Sequence, residues 1–327
     1  MKKLLILLLV LSLLLCACGA DTPEDPDTNN PGNAQEENPG ETPDIPETPT
    51  ATPITWMQPA ADRELTAKQY FVYNCETREF ITISGEPDER IFPASITKLF
   101  TAYVALEFVG PEEVITAGDE LDMVIYNSSV AELKKGDQLT AQQLVEAMLL
   151  PSGNDAAYVL ATHAGRKLLG NSNASAEAAS AKFVEEMNRQ AKLLGMTGTN
   201  FANPDGIHKD NHYTTFADLA ILGMLAMEEP TVLKYAPVST ETVTLASGEK
   251  TWENTNAIIH PESQYYCPCC IGLKTGQTPA AGSCLLSAFE YDGTTYLVGV
   301  FGCPDVESRF PDTLQLFNAA ITNPSAE

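Results

Sequence analysis

The chain has 327 residues and a formal net charge of −25, from 19 basic and 44 acidic side chains. A protein this acidic does not hold nucleic acid by neutralising its phosphates, so nucleic-acid-binding functions are excluded. The charge also predicts repulsion from anionic lipid headgroups. It favours solubility without indicating a particular activity.

The N-terminus has the pattern of an export signal. Two lysines precede an apolar run over residues 4–15 that only Ser12 interrupts, which has the length of a signal-peptide core and is too short for a permanent membrane span. The run ends in Leu-Cys-Ala-Cys, which resembles the bacterial lipobox, where cleavage before a cysteine makes that cysteine the lipidated N-terminus. We expect residues 1–17 to be a lipoprotein signal peptide and Cys18 to be the lipidation site. An ordinary signal peptide that releases a soluble protein is the alternative.

Residues 18–53 have the composition of a disordered tether. Between residues 21 and 53 there are nine acidic residues, eight prolines and no basic residue. Such a segment cannot bury enough apolar surface to offset its ordering entropy. Its reach lies between about 30 Å for a coil and about 100 Å for a near-polyproline chain. We expect it to join a lipid anchor at the outer face of the bacterial membrane to an extracytoplasmic domain over residues 54–327.

The pattern of the remaining chain predicts an α+β domain. Strand-like runs occupy residues 70–73, 80–83, 241–245, 283–291 and 295–301, with an Asp-Gly hairpin turn signal at 292–293. Helical spacing occupies residues 141–148, 156–163, 178–194, 216–227 and 310–321, and another helix opens near Ser95. Strands at both ends with helices between them predict a sheet built from N- and C-terminal strands, with an inserted all-helical lobe.

Ser95 and Lys98 form a Ser-x-x-Lys motif where the helical region opens. Residues three apart on a helix share a face, so the lysine amine can reach the serine hydroxyl. A desolvated lysine with a lowered pKa can take the serine proton, and N–H groups at a helix N-terminus stabilise developing negative charge. Ser247 and Lys250 repeat the spacing, but they lie between strand-like residues and indicate a turn.

Two further motifs follow in order. A Ser-Gly-Asn sequence at residues 152–154 offers a hydroxyl for proton relay and an amide that can bind both a lysine and a substrate carbonyl. Alone it is equally typical of a loop or helix cap. A Lys-Thr-Gly sequence at 274–276 precedes a strand and can pair with an extended peptide and hold its carboxylate. Its alternative is the start of a strand with a bulge. The ordered set is that of class A β-lactamases and penicillin-binding proteins.

The residues around these motifs resemble the low-molecular-mass penicillin-binding proteins, specifically the D-Ala-D-Ala carboxypeptidases of the S11 serine peptidase family. The matching segments are residues 93–98, 150–157, 183–188, 194–196, 201–206, 212–215 with 218, and 272–276 with 281–282. The resemblance covers about residues 68–322. It implies a β-lactamase/transpeptidase-like fold, no cofactor and no metal. It also implies peptidoglycan stem peptides as substrates and β-lactams as inhibitors.

The resemblance implies a catalytic group of four residues. Ser95 would form the acyl-enzyme, and Lys98 would act as the general base. Ser152 and Asn154 would complete the proton network from the helical lobe. The backbone N–H of Ser95 would contribute to the oxyanion hole.

It also implies a substrate-binding group. Lys274 would bind the substrate carboxylate and lower the pKa of its neighbours, while Thr275 and Gly276 would line the strand. Gln277 would supply the second oxyanion-hole N–H. Arg309 matches an arginine near the substrate carboxylate, with a surface salt bridge as its alternative role.

The cysteines are a departure from the resemblance. Six lie in the predicted domain: Cys75, Cys267, Cys269, Cys270, Cys284 and Cys303. In an exported protein disulfides are the first expectation, and six cysteines allow fifteen pairings. A metal site is the alternative, but the close-set cysteines lack a clear partner pair. His208 and His212 have a lysine where a zincin has its glutamate, so we interpret them as structural loop residues.

The sequence is compatible with three functions. The favoured one is a serine D-Ala-D-Ala carboxypeptidase. A class A β-lactamase would need a deacylating glutamate four residues before an asparagine. Before Asn188 that position is Val184, and Glu185 and Glu186 are out of phase. The third is a wall-binding lipoprotein without activity, which the intact motifs disfavour.

Overall fold

The structure is a computed structural model, and it describes residues 63–322. The predicted signal peptide, the lipidation site at Cys18 and the tether lie outside the described residues and stay predictions. None of the helices between residues 63 and 322 combines the length and the hydropathy that crossing a membrane requires.

Strands and α-helices of the described part are numbered here in chain order. The strands are β1 (Gln69–Asn74), β2 (Glu79–Ile83), β3 (Arg90–Ile91), β4 (Val114–Thr116), β5 (Gln138–Thr140), β6 (Thr214–Thr215), β7 (Thr240–Leu245), β8 (Gly248–Glu253), β9 (Cys270–Thr278), β10 (Gly282–Tyr291) and β11 (Thr294–Cys303). The helices are α1 (Thr97–Leu106), α2 (Ala141–Leu149), α3 (Asn154–Leu169), α4 (Ala176–Leu193), α5 (Phe216–Glu228), α6 (Pro230–Tyr235) and α7 (Arg309–Thr322).

The main sheet joins strands from the beginning and the end of the described residues, as the sequence predicts. Its five antiparallel strands follow the order β2-β1-β11-β10-β9, so β9 is an edge strand. The predicted turn between β10 and β11 is confirmed: Asp292 and Gly293 both have positive φ, at 49° and 73°. Two such residues suit the right-handed twist of a tight hairpin.

The two faces of the sheet carry different cores because strand side chains alternate. Phe71 of β1 points to the helical lobe, where its ring lies 5.5 Å from that of Phe216. On the opposite face Phe289 stacks on Phe317 of α7 with ring centroids 4.2 Å apart. The fold is therefore a sheet with α7 on one face and the inserted helices α1–α6 on the other, as expected.

Helix α1 is the centre of the helical lobe. It contacts α2, α3, α4, α5 and α6, and eight of its ten residues are buried. A helix that is apolar around most of its circumference suits such a position. Lys98, in its first turn, is therefore enclosed with no exposed surface.

Local sequence signals explain where the neighbouring helices begin and end. Thr140 and Gln143 form a capping box at the start of α2. Helix α3 ends at Leu169 and is capped by Gly170 in the left-handed conformation. It begins at Asn154, two residues before the predicted start, so the Ser-Gly-Asn motif supplies its first residue. The Lys-Thr-Gly motif lies inside β9, which begins four residues before Lys274.

The disulfides expected from the sequence are not formed in the structure, where all six cysteines of the described range are free thiols. Cys284 belongs to the core facing the helical lobe, whereas Cys303 lies in the core on the opposite face of the sheet. The sheet therefore separates these two thiols. Within residues 63–322 no group of three or more His, Cys, Asp or Glu side chains is arranged to hold a metal ion.

Candidate active site

Ser95 lies in a single 3-10 turn, Ala94–Ile96, that leads directly into α1. The preceding Ala94 has a φ of 48°, a conformation that L-residues adopt rarely. Gly206 packs against its carbonyl, and a Cβ at position 206 would lie 1.9 Å from the Ala94 oxygen. Only glycine allows this approach, which fixes the turn that carries Ser95.

The amine of Lys98 makes three hydrogen bonds. Its Nζ donates to Ser95 Oγ at 2.8 Å, to Asn154 Oδ1 at 2.6 Å and to the backbone carbonyl of Asp205 at 2.8 Å. Both carbonyl oxygens can only accept, whereas the hydroxyl can also donate. When Lys98 loses a proton, its lone pair is therefore directed at Ser95.

Burial gives Lys98 the protonation behaviour of a base. Desolvation lowers the pKa of the Lys98 amine from its ordinary value to about 8, although the charges of Asp205 and Asp155 oppose the shift. An amine with this pKa is neutral in about a tenth of the molecules at pH 7 and in about half of them at pH 8. Its geometry and its pKa both suit the removal of the Ser95 proton.

The Ser-Gly-Asn motif forms the opposite wall. Ser152 has a φ of 61°, and the backbone N–H of Asn154 donates to the Ser129 carbonyl at 2.8 Å. Asp155 accepts from the backbone N–H groups of Ala131 and Leu133 at 2.8 and 3.0 Å. These bonds hold the loop before residue 134 over the start of α3. Ser152 and Asn154 are thereby placed on the side of the site that faces Ser95.

Strand β9 packs directly against the nucleophile turn. A Cβ on Gly276 would lie 3.0 Å from the Ala94 Cβ and 3.3 Å from the Ser95 nitrogen. Glycine at this position therefore allows the strand and the turn to meet. Gln277, the next residue, is exposed.

Lys274 belongs to β9, and its side chain is buried, with 1% of the residue's surface exposed. Its Nζ donates to the carbonyl and to the Oγ1 of Thr275 at 3.2 and 3.3 Å. Burial, with the nearby charges of Lys98 and Arg309, holds the pKa of Lys274 well below its ordinary value. Thr275 in turn shares a hydrogen bond of 2.5 Å with Thr255 Oγ1.

Arg309, the first residue of α7, reaches the same site. Its Nη2 donates to the Thr255 carbonyl at 3.4 Å, and its buried Nε has no hydrogen-bond partner within the described residues. Burial lowers the pKa of the guanidinium to about 10. The surface salt bridge considered for Arg309 is not what the structure shows, since the side chain is buried and bonds a backbone carbonyl.

A cleft of about 750 Å³ joins these elements. Its lining includes Ser95, Ser152, Asn154, Thr255, Thr275, Gly276, Gln277 and Arg309. Among the described residues that line it there is no aspartate or glutamate. Lys98 and Lys274 lie below the lining, so two buried lysines and Arg309 surround a cleft without acidic side chains. This arrangement suits acylation of a serine by a ligand that carries a carboxylate.

The family assignment follows from comparison with known proteins. The family model described as D-alanyl-D-alanine carboxypeptidase matches residues 55–304. This chain belongs to the D-alanyl-D-alanine carboxypeptidase family. The family, the fold and the serine carboxypeptidase activity predicted from the sequence are thus confirmed. Carboxypeptidases of this family are cell-wall enzymes, which act outside the cytoplasm, as the sequence also predicts for this chain.

Individual carboxypeptidases of the family are similar over most of the chain. The D-alanyl-D-alanine carboxypeptidase of Streptomyces sp. (strain K15) is 33% identical over 241 residues, covering 71% of this chain and 79% of that protein. The carboxypeptidase DacF of Bacillus subtilis (strain 168) is 26% identical, covering 72% of this chain and 57% of that protein.

Solved structures extend the similarity to the fold. The crystal structure of the Streptomyces K15 DD-transpeptidase has a TM-score of 0.70 and 28% identity, covering 80% of this chain and 98% of that chain. Penicillin-binding protein D2 from Listeria monocytogenes, in an ampicillin-bound form, has a TM-score of 0.63 and 29% identity, covering 79% and 98%.

The two glutamates of α4 considered for a β-lactamase role are held elsewhere in this carboxypeptidase. Glu186 accepts two hydrogen bonds from Arg189, and Glu185 accepts one from Lys182. Asn188 donates to the carbonyl of Phe201 and accepts from its N–H. It therefore ties α4 to the loop before Gly206, and neither glutamate lines the cleft.

Three contributors to the carboxypeptidase site were not predicted as site residues. Asp205 supplies a backbone acceptor to Lys98, and Thr255 joins β9 to Arg309. His212 Nδ1 accepts from the Ala202 N–H at 3.1 Å, so its Nε2 donates to Thr97 Oγ1 at 2.8 Å. Burial lowers the pKa of His212 to about 4, which keeps it neutral. The Asn-Pro-Asp-Gly turn signal could have marked residues 203–206, but nothing in the sequence marks Thr255.

Proposed function

We propose that this carboxypeptidase removes the terminal D-Ala from peptidoglycan stem peptides through an acyl-enzyme on Ser95. The main support for the proposal is the environment of Lys98. Two fixed carbonyl acceptors hold the amine, and Ser95 Oγ is the remaining partner, 2.8 Å away. Of the three, only the serine can give up a proton to it.

Acylation follows from this geometry. Neutral Lys98 accepts the Ser95 proton while Oγ attacks the carbonyl carbon of the scissile peptide bond. The negative charge that develops on the carbonyl oxygen is met by the backbone N–H groups of Ser95 and Gln277. As the C–N bond breaks, Ser152 relays a proton from the Lys98 ammonium to the leaving D-Ala amine. Lys98 is then neutral again.

Deacylation uses the same base. Lys98 takes a proton from a water molecule, the water oxygen attacks the acyl carbon, and Ser95 Oγ leaves and is reprotonated. No carboxylate is present among the described lining residues to activate this water. A β-lactam ring that acylates Ser95 keeps its leaving group attached, so we expect long-lived inhibition. The ampicillin-bound form of the Listeria relative supports this expectation.

The peptide substrate would bind along β9, with its C-terminal end close to Arg309. Because β9 is an edge strand of the sheet, an extended peptide can pair with it and gain backbone hydrogen bonds. Its terminal carboxylate would meet the Thr275 hydroxyl and the Arg309 guanidinium. Lys274 would act from below by holding Thr275 and by adding positive potential.

We also propose that the chain is a lipoprotein anchored at the outer membrane face through Cys18. The apolar run at residues 4–15, its lipobox-like end and the acidic tether support the anchor. In cell fractionation, Cys18→Ser should move the protein from the membrane to the medium. Retention of the variant on the membrane would contradict the anchor without affecting the enzymatic proposal.

Release of D-Ala tests the enzymatic proposal. The full chain is incubated with diacetyl-Lys-D-Ala-D-Ala and, separately, with a fluorescent penicillin. Ser95→Ala should abolish both D-Ala release and labelling. Ser247→Ala is a matched control, because Ser247 has the same spacing to a lysine but donates a hydrogen bond to Asp137 away from the cleft. This variant should retain both D-Ala release and penicillin labelling. Rapid penicillin hydrolysis without D-Ala release would favour a β-lactamase instead.

A further inference from the structure

The turn that precedes β9 brings two thiols together. Cys267 and Cys270 close it, with the Cys270 N–H donating to the Cys267 carbonyl at 3.0 Å. Pro268 occupies the second position, where its fixed φ favours a turn. The sulfurs of Cys267 and Cys269 lie 3.1 Å apart. Since a disulfide bond measures about 2.0 Å, a movement of about 1 Å would join them.

The two thiols differ in accessibility. Cys267 is 1% exposed, and its hydrogen bond with Cys269 and its burial raise the pKa of its thiol well above the ordinary range. Cys269 is half-buried and lines a surface cavity of about 370 Å³. Because thiolates are the reactive species and need access to their partner, Cys269 would react first.

The other cysteines are less suited to this chemistry. The hydrogen bonds of Cys284 and Cys303 go to oxygen atoms and not to another sulfur. Cys270, Cys284 and Cys303 are all buried. Cys75 follows the end of β1, at a different part of the sheet. The Cys267–Cys269 pair is therefore distinguished by the proximity of its two sulfurs, together with the half-buried position of Cys269 at the cavity.

We propose that Cys267 and Cys269 are a redox-modification site, oxidised to a disulfide by a neutral or cationic disulfide compound. The Cys269 thiolate attacks one sulfur of the oxidant, forming a mixed disulfide and releasing one thiol. Cys267 then loses its proton and attacks the Cys269 sulfur, which forms the intramolecular bond and releases the second thiol. Two electrons and two protons pass from the protein to the oxidant. This site is independent of the proposed function of Ser95.

The charge around the cavity selects the oxidant. Glu290 and Asp292 line the same cavity as Cys269, and both are exposed. Two carboxylates beside the reacting sulfur repel an anionic disulfide and attract a cationic one. The effect should weaken as salt is added, since exposed charges are screened over about 10 Å at 0.1 M ionic strength.

Peptide mapping tests the pairing. The full chain is reduced, treated with cystamine, blocked with N-ethylmaleimide and digested with trypsin, which releases residues 251–274 with three cysteines. We expect this peptide to carry one blocking group and to lose about 2 Da by disulfide formation. The disulfide should persist in Cys270→Ala and be absent in Cys269→Ser. Three blocked thiols after cystamine treatment, or a disulfide that needs Cys270 instead of Cys269, would overturn the proposal.

The rate comparison tests the class of oxidant. At low salt the cationic disulfide cystamine should react at least about threefold faster than the anionic oxidised glutathione. The Glu290→Gln/Asp292→Asn double variant should bring the two rates closer together. Equal rates with the wild-type protein would overturn the assignment of a neutral or cationic oxidant.

Discussion

The backbone carbonyl of Asp205 accepts a hydrogen bond from Lys98 Nζ at 2.8 Å, while the carboxyl group of the same residue is buried nearby with Oδ2 unpaired among the described residues. Asp205 thus holds the proposed base in place through its backbone and acts on its charge through its side chain. Both effects have measurable consequences.

Acylation should depend on the protonation of Lys98. Because burial lowers the pKa of Lys98 to about 8 and only the neutral amine can accept the Ser95 proton, the acylation rate should rise with pH through about 8. The second-order rate of fluorescent-penicillin labelling, measured from acidic to alkaline pH, checks this. A rate that is flat or falls over this range would contradict a neutral-lysine base.

Asp205→Asn should move that pH profile toward lower pH. The negative charge of Asp205 raises the pKa of Lys98, so its removal should let the amine lose its proton more readily. Asp210→Asn is a matched control, since Asp210 is fully exposed in the same loop. An unmoved midpoint in Asp205→Asn would contradict an electrostatic effect of the Asp205 carboxylate on Lys98.

Arg309→Gln should weaken recognition of the substrate carboxylate. Loss of a charge-assisted hydrogen bond costs about 1.5–3 kcal/mol, so kcat/KM for diacetyl-Lys-D-Ala-D-Ala should fall about 10- to 100-fold. For the same peptide with a C-terminal amide, Arg309→Gln should lower kcat/KM much less, because this peptide lacks the charge that Arg309 would bind. Equal losses on both peptides would assign Arg309 a structural role.

Gly276→Ala should disturb the nucleophile without unfolding the domain. The added methyl would meet the Ala94 Cβ and the Pro93 carbonyl at 3.0 Å, and such overpacking costs about 1–3 kcal/mol. Penicillin labelling should slow markedly while thermal unfolding stays cooperative. Gly136→Ala, with open space around its Cβ, controls for the loss of a glycine, although its positive φ adds some strain. Normal labelling by Gly276→Ala would show that the turn tolerates displacement.

Much of the fold follows from local pattern. The continuous apolar run of β1 predicts a strand that is covered on both faces, and the helical spacing along α5 predicts a helix that buries one face. The hairpin at Asp292 and Gly293 is predictable because few residue pairs adopt its conformation. Which face of the sheet a cysteine occupies depends on strand register, and this is why disulfides between Cys284 and Cys303 could not be excluded from the sequence.

The candidate site was predictable only where side-chain chemistry marks it. Ser95 and Lys98 are close in sequence, and their motif carries the signal. The carbonyl of Asp205 comes from a loop 107 residues away, and a backbone acceptor has no residue type to reveal it. Thr255 likewise enters the site through the chain's path between β8 and β9.

The most direct test of the central claim is to locate the penicillin adduct by mass spectrometry. Trypsin releases residues 91–98 around Ser95 and residues 235–250 around Ser247, so the two Ser-x-x-Lys serines fall in different peptides. The structure predicts a penicilloyl group on Ser95 alone. An adduct on the Ser247 peptide, or labelling that persists in Ser95→Ala, would contradict the assignment of Ser95 as the nucleophile.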